Sequence, residues 1–372
     1  MKTINLRIAD LRKRKNITQQ ELADILGISF QTISKWENSN GMPDISLLPI
    51  ISEYFEVSVD QLLGLAPLED EVYVSKGTET SEYWNKRLDY LLKCRKNYWN
   101  QDYMEFLISK VWNITEPVNV LDCACGFGFM GLLLMPLLPV GSTYTGIDFS
   151  ETLLEEGRKL FEEKGIKATF LCRDVYTCDM KARFDIVLEQ NALRHLNNPE
   201  QFLQKMITFG KENALIISMC VNREFECDGL YVEGMDYAQL CEHEVLKTDW
   251  KTEKEMQGRD YAIAMKAAPI MAKLGLQDVG VRMNDCVEFV SPQLPDYKER
   301  KENFLNYNGW DREQSEETQE NIIKQFVSHK ASRKDAEDFC KRNKSIMEFF
   351  RNNPQVSYTY TKGQMITYGR KR

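Results

Sequence analysis

The sequence predicts an α/β chain in which a small all-α domain precedes a Rossmann-like, doubly wound sheet domain with helical insertions. Two observations carry this prediction. The first 66 residues contain short, capped segments with the apolar period of amphipathic helices. Beyond residue 80, apolar strand-like segments alternate with helical ones, and a G-x-G-x-x-G loop follows the first strand.

Length and composition favour more than one domain in a reduced, cytoplasmic protein. The chain has 372 residues, of which 43% are apolar and 28% charged, so a real core is expected. No apolar run is long enough to predict a membrane span. The ten cysteines are scattered. The segment Cys241–Glu244 offers metal-ligand types but has no second ligand pair at a useful spacing, so we expect free thiols and no metal.

The first 66 residues read as a set of short helices around a tight turn. Thr18 is a good N-cap and Glu21 stands at the capping-box spacing. Gly27 suits a left-handed C-cap, and Ser29 can cap the next helix, on which Trp36 faces inward. Helix, glycine turn and helix together predict a helix-turn-helix.

The segment T-Q-Q-E-L-A-x-x-L-G-I-S-x-Q-T-I-S-K-W-E resembles the Xre-type and phage-repressor helix-turn-helix family. The resemblance implies a dimer that binds DNA with its second helix in the major groove. Although the net charge is −8, the first forty residues hold a basic cluster. The implied DNA-binding residues are Gln19, Phe30, Gln31, Thr32 and Lys35, with Arg14 and Lys15 near phosphates in the Arg12–Lys15 cluster. A purely protein-binding role for this domain stays open.

Proline, glycine and acidic residues over 67–80 predict a linker, and a second domain is predicted over 81–372. It opens with aromatic-rich helices, whose aromatic residues are expected in the core. A helical insertion over about 292–354 and the segment Asp228–Asp260 are not explained by a core sheet. Either can form a substrate lid, a dimer face or a cover for the sheet.

The glycine loop follows the first strand of this domain. Asp122 ends the apolar segment, and Gly126, Gly128 and Gly131 follow it. In a dinucleotide fold the pyrophosphate lies on the helix N-terminus, where a preceding acid would repel it. An acid suits a ligand with a cationic amino group, such as S-adenosylmethionine. Both ligands remain open at this point.

Two further carboxylates follow later strands. Asp148 ends the second strand, where an acid can accept hydrogen bonds from ribose hydroxyls, and Asp174 follows the third. Because strand and helix continue to alternate, we expect a parallel sheet that brings these side chains to one edge. The chain is predicted to finish in a single strand within residues 355–372.

Residues from about 80 to 372 resemble class I S-adenosylmethionine-dependent methyltransferases, through V-L-D-C-A-C-G-F-G, T-G-I-D-F-S, C-R-D-V and F-D-I-V-L-E-Q-N-A-L-R-H-L. The resemblance implies S-adenosyl-L-methionine as cofactor. The implied cofactor-binding residues are Asp122, Cys123, Ala124, Gly126 and Gly128 in the loop, Asp148 at the ribose, Phe149, Asp174 and Val175 at the adenine, and Glu189 and Gln190 beside the sulfonium.

The chain departs from the family pattern at two positions. Ala124 replaces the first glycine, and Arg194 replaces the first of two histidines. His195 and Glu189 remain as candidates for a general base, although methyl transfer does not require one.

The acceptor is not written in the sequence. The segment after the fourth strand lacks an (N/D/S)-P-P-(Y/F) motif, and no Pro-Cys pair occurs, so DNA-base methylation is not expected. We expect a small-molecule acceptor for an enzyme that also binds DNA. The alternatives are a transcription regulator whose second domain only senses S-adenosylmethionine or another small ligand, and an interaction protein.

Overall fold

The computed structural model describes residues 6–15, 17–38, 40–64, 91, 99–196, 198–284 and 286–372. The chain divides into two compact units, Met1–Val74 and Ser75–Arg372. The predicted linker over 67–80 and most of the aromatic-rich segment that follows it lie outside the described residues. Within the described part, no helix combines the length and apolar character needed to cross a bilayer.

In its described residues, the first unit has five helices around an apolar core. That core includes Leu22, Ile33 and Trp36. The helices are α1 (Ile8–Arg14), α2 (Gln19–Leu26), α3 (Phe30–Glu37), α4 (Leu48–Phe55) and α5 (Val59–Leu62).

The predicted helix-turn-helix caps are confirmed. The Thr18 hydroxyl accepts from the Glu21 N–H, and the Glu21 carboxylate accepts from the Thr18 N–H. Gly27 ends α2 with φ +65°, and Ser29 caps α3 through the Thr32 N–H. These signals lie within a few residues of one another, so the local sequence is sufficient to predict where α2 ends and α3 begins.

A polar cluster ties α1 to α3. The Arg12 Nε lies 2.6 Å from Glu37 Oε1 and its second guanidinium nitrogen lies 3.0 Å from Oε2. Gln19 Nε2 donates to the same carboxylate at 2.6 Å. Both members of the ion pair are largely shielded from solvent. Burial alone would raise the pKa of Glu37, but the bonds from Arg12 and Gln19 hold it below its ordinary value.

The second unit alternates strands and helices around a seven-stranded sheet. The elements that build the sheet and its two faces are α6 (Gln101–Phe106), which continues as a π-helical turn over Leu107–Val111, β1 (Asn119–Cys123), α7 (Phe129–Leu134), β2 (Thr143–Asp148), α8 (Glu151–Glu163), β3 (Ala168–Cys172), β4 (Phe184–Gln190), a 3₁₀ turn (Leu193–His195), α9 (Pro199–Phe209) and β5 (Gly210–Val221).

The remaining elements are α10 (Arg223–Asp228), β6 (Leu230–Val232), α11 (Tyr237–Leu240), α12 (Glu244–Gln257), α13 (Ile263–Lys273), β7 (Gln277–Met283), β8 (Val287–Val290), α14 (Tyr297–Asn308), α15 (Glu316–Ser328), α16 (Arg333–Asn352), β9 (Tyr358–Thr361) and β10 (Gln364–Arg370). Of these, β7 and β10 complete the large sheet. The elements within residues 223–257 and 286–361 are called the cap below. Helices thus occur in the segment 292–354, as expected.

The large sheet has the strand order β3-β2-β1-β4-β5-β10-β7. The first five strands pair in parallel, whereas β10 is antiparallel to both of its neighbours. The parallel pairing expected from the alternation of strands and helices is confirmed for these five strands, and β10 adds an antiparallel strand that the sequence did not predict. Strand β10 follows β9, which lies in the small sheet, through a two-residue turn.

The single terminal strand expected from the sequence is two strands in two sheets. Strand β9 lies between β6 and β8 in a small antiparallel sheet, and β10 lies in the large one. Gly363, with φ +59°, makes the turn between them, and a side chain there would overlap the Asn222 carbonyl.

We expect the Arg12–Glu37 pair to control the stability of the first unit. Glu37→Gln leaves the shielded guanidinium without its counter-charge and should destabilise this unit by roughly 2–4 kcal/mol. Hydrogen exchange of the α2 and α3 amides in the full chain measures this. Because the folded pKa of Glu37 is lowered, the stabilisation is complete above the unfolded value of about 4.3 and is lost as pH falls through the folded pKa.

The matched control is Glu53→Gln on α4, where the glutamate is exposed. Equal exchange in the two variants would contradict the importance of the buried pair.

Candidate functional site

The loop after β1 makes a succession of left-handed turns. Ala124, Gly126 and Gly128 have φ values of +58°, +56° and +79°. The Gly126 N–H donates to Asp148 Oδ2 at 2.8 Å, and the Cys125 N–H donates to the Ile147 carbonyl at 2.9 Å. The loop is therefore bent back against the end of β2. At Ala124 this conformation carries a methyl group, which the sequence comparison with glycine-containing relatives predicted.

Asp148 holds the loop from the end of β2. Its second oxygen, Oδ1, accepts from the Ser150 N–H at 2.9 Å. Burial raises the pKa of Asp148, while the hydrogen bonds from Ser150 and Gly126 oppose that rise. The Phe149 backbone N–H also donates to Asp148, so one of the four lone-pair positions of the carboxylate remains.

The other loop-side residues fall on opposite faces of the sheet. Asp122 is buried and accepts from the Tyr144 hydroxyl at 2.8 Å through Oδ2. Cys123 packs in the core on the other face, where burial raises the pKa of its thiol well above the ordinary value. Cys123 therefore contributes backbone rather than side chain to any ligand at the loop.

Asp174 and its neighbours lie beyond β3. Asp174 is exposed and its Oδ1 accepts from the Tyr176 N–H at 2.8 Å. Val175 is buried in the core, and Phe149 is half-buried after β2. The strand order β3-β2-β1-β4 brings the ends that carry these residues into one row.

Glu189 is enclosed at the end of β4. Its side chain is 0% exposed, and one oxygen accepts from the Ser218 hydroxyl and from the Cys220 thiol at 3.3 Å. The other accepts from the Ala192 N–H at 2.8 Å. Burial raises the pKa of Glu189, and these bonds oppose the rise. In this arrangement Glu189 fixes the turn after β4.

Gln190 differs from Glu189 because its amide lacks a partner. The side chain is 9% exposed, and Nε2 makes no hydrogen bond within the described residues. Next to it, Asn191 has φ +58° and its Oδ1 accepts from the Val221 N–H at 2.9 Å. An unsatisfied buried donor costs about 1–3 kcal/mol, which makes Gln190 a candidate for ligand contact.

His195 follows in the 3₁₀ turn. It is half-buried, and its Nε2 accepts from Arg194 Nε at 3.0 Å. The Arg194 carbonyl also accepts from the Asp260 N–H. The residue that departs from the family pattern thus contacts the remaining histidine directly.

Gln364 is a candidate that sequence reasoning missed. It is the first residue of β10 and pairs with Val221, at the same sheet edge as Gln190 but two strands away. It is 1% exposed, and neither amide atom makes a hydrogen bond within the part of the chain described. No local motif marks it, because only the sheet pairing brings it to this edge.

Helix α3 exposes part of the residue set that the sequence predicts to bind DNA. Phe30, Gln31 and Lys35 are exposed and Thr32 is half-buried, while Ile33 and Trp36 are in the core. This is the distribution expected of a helix that enters a DNA groove.

The residues expected near phosphates have different surroundings. Arg12 and Gln19 are engaged by Glu37. Lys15 Nζ lies 3.6 Å from Glu56 Oε1 and 5.0 Å from the Tyr54 ring centroid. Arg14 is the last residue of α1, and its side chain lies outside the described part.

Two family models match the chain. One is described as helix-turn-helix and covers residues 8–62; the other is described as methyltransferase domain and covers residues 114–268.

Curated relatives match part of the chain. A ubiquinone biosynthesis O-methyltransferase of Rickettsia felis is 26% identical over 169 residues, covering 41% of this chain and 67% of the relative. A ubiquinone biosynthesis O-methyltransferase of Bradyrhizobium diazoefficiens is 28% identical over 125 residues. That match covers 34% of this chain and 48% of the relative. The chain thus spans between about half and two thirds of these relatives.

Among solved structures, phosphoethanolamine N-methyltransferase 2 of Haemonchus contortus in complex with S-adenosyl-L-methionine is 12% identical, with a TM-score of 0.39. That match covers 73% of this chain and 52% of that one. The YcgJ protein of Bacillus subtilis is 15% identical, also with a TM-score of 0.39. That match covers 73% of this chain and 99% of the YcgJ chain.

We expect Ala124→Gly to stabilise the chain. Glycine removes the cost of a Cβ in the left-handed region, about 1–2 kcal/mol, and part of that gain is offset by the entropy of the unfolded glycine. The midpoint temperature of thermal unfolding should therefore rise by a few degrees.

The comparison variant is Ala272→Gly on an exposed position of α13, which should destabilise by about 0.5–1 kcal/mol. If both variants lose stability, the left-handed alanine is not a source of strain.

Proposed function

Because residues 8–62 form a helix-turn-helix domain and residues 114–268 a methyltransferase domain, we propose that this protein transfers a methyl group from S-adenosyl-L-methionine to a small molecule and binds DNA through its first domain. One observation carries the catalytic half. The carboxylates of Asp122, Asp148 and Asp174, the bent loop and the unpartnered Gln190 amide follow neighbouring strands at one edge of the sheet.

The loop suits a nucleoside ligand. Gly126 and Gly128 allow the left-handed turns that bend the loop, and the remaining lone pair of Asp148 can accept from a ribose hydroxyl. The exposed Asp174 can accept from an adenine amino group, with Phe149 and Val175 beside the ring. S-adenosyl-L-methionine supplies the electrophilic methyl group when bound.

In this proposal the two buried glutamines contact different ligands. Gln190 ends β4, next to β1 and its loop, so its Nε2 can donate to the amino-acid part of the cofactor. Gln364 lies two strands farther along the same edge and can donate to and accept from the acceptor. Because methyl transfer is an in-line displacement, positioning by such groups is the main contribution required of the protein.

The acceptor is a small molecule in this proposal. The matched relatives are named O-methyltransferases of ubiquinone biosynthesis, so hydroxyl compounds are the first acceptors to test. The helix-turn-helix domain gives the protein a transcriptional role, and by the symmetry of such domains we propose a homodimer.

Calorimetry with S-adenosyl-L-methionine tests the cofactor half of the proposal. We expect binding by the wild-type chain and about tenfold or weaker binding by Gln190→Leu, because the variant loses a buried donor. Its thermal stability should stay unchanged or rise, since leucine removes an unsatisfied polar group.

Gln364→Leu is the matched control. It removes an equally buried amide and should leave cofactor affinity unchanged. Absence of binding heat in the wild type would overturn the proposal, and equal affinities of the wild type and Gln190→Leu would remove Gln190 from the cofactor site.

Turnover separates an enzyme from a sensor. Incubation with methyl-labelled cofactor and a set of small hydroxyl compounds should label a product, and Gln364→Leu should lower that turnover. Cofactor binding without any labelled product would favour the sensor.

Binding to DNA tests the first domain. Lys35→Ala and Gln31→Ala should weaken binding to a selected DNA site, with Gln31→Ala also relaxing the preference at one base pair by about 1–3 kcal/mol. Lys110→Ala makes the same charge change on an exposed residue of the second unit and should bind normally. Mobility shifts at two salt concentrations measure both effects; equal loss in Lys35→Ala and Lys110→Ala would exclude a direct contact by α3.

A further inference from the structure

Three zinc-ligand types meet in the cap of the second unit. Asp228 ends α10, while Cys241 and His243 lie between α11 and α12. A carboxylate oxygen, the thiol sulfur and an imidazole nitrogen of these residues all lie within 4.8 Å of one another. The sequence segment Cys241–Glu244 did not predict this, because the third residue is thirteen positions upstream of the cysteine and arrives through the fold.

His243 supplies an independent sign of a missing partner. It is 6% exposed, yet neither ring nitrogen makes a hydrogen bond in the described part of the chain. Its Nε2 lies 3.6 Å from Asp228 Oδ1, which is beyond hydrogen-bonding distance. A buried imidazole without partners costs free energy, which a metal bond would offset.

Backbone contacts hold the three residues in place. The Tyr237 hydroxyl donates to the Asp228 carbonyl at 2.8 Å, and Cys241 Sγ lies 3.8 Å from the same oxygen. The Cys241 N–H donates to the Tyr237 carbonyl, and α11 is anchored by buried Leu240. The cluster is therefore built on a packed segment rather than on a free loop end.

We propose that Asp228, Cys241 and His243 bind a zinc ion. Zinc accepts oxygen, sulfur and nitrogen ligands at about 2.0–2.3 Å, which puts tetrahedral ligand atoms roughly 3.3–3.8 Å apart. The 3.6 Å between His243 Nε2 and Asp228 Oδ1 lies within this range, and no two of the three ligand atoms are more than 4.8 Å apart. On binding, the Cys241 thiol releases its proton to solvent and the thiolate sulfur bonds to the metal. Three protein ligands leave the fourth position to water or to a ligand.

In a second cluster of ligand types, Asp249, Glu253 and His329, the histidine already has a hydrogen-bond partner. There His329 Nδ1 already lies 2.7 Å from Asp249 Oδ1, and the His329 carbonyl accepts from the Thr252 hydroxyl. These bonds join α12 to the end of α15 without a metal. This second cluster provides a natural control.

The test is zinc content of the full-length, tag-free chain after equilibration with zinc and removal of the excess. We expect about one equivalent per chain. Cys241→Ser, His243→Ala and Asp228→Asn should each lower zinc affinity at least tenfold, while Cys172→Ser, at an exposed thiol, and His329→Ala should retain it. Cobalt substitution adds a spectroscopic readout, since a thiolate-to-cobalt absorption band should appear in the wild type and be lost in Cys241→Ser.

Circular dichroism checks that each variant is folded, and Asp228→Asn at a largely exposed carboxylate gives the mildest change. No zinc in the wild type, or equal zinc in Cys241→Ser and the wild type, would overturn the proposal. Loss of zinc in His329→Ala alone would also overturn it, by moving the metal to the second cluster. None of these readouts depends on methyl transfer or cofactor binding.

Discussion

The site depends on the hydrogen bonds that Asp148 accepts from Gly126 and Ser150. One carboxylate joins the loop after β1 to the start of α8, so the left-handed turns of that loop are held against a neighbouring strand. This arrangement uses the carboxyl group to hold the loop in place. The same side chain therefore shapes the loop and offers it a hydrogen-bond acceptor.

Local signals in the sequence were the most informative about structure. The caps of α2 and α3 involve Thr18, Glu21, Gly27 and Ser29, each within three residues of its partner, so they were readable directly. The row of Asp122, Asp148 and Asp174 followed from a general rule, because parallel strands end at one edge.

Long-range features escaped the sequence for a common physical reason. Gln364, Asp228 and the reversal of β10 depend on which distant segments pair, and nothing within a few residues of them specifies that. The roles of Glu189 and Gln190 were also not predictable from the sequence, because both residue types can bind a ligand. Only the contacts show that the Glu189 carboxylate is hydrogen-bonded within the protein, whereas the Gln190 Nε2 is not.

The glycine turn at Gly363 has a mechanical consequence. It joins β9 of the small sheet to β10 of the large one with no slack, since only Lys362 and Gly363 separate the two strands. A rigid displacement of the small sheet must therefore pull on the first residue of β10, which is Gln364. The small sheet and the end of the large sheet are therefore joined directly by these two residues.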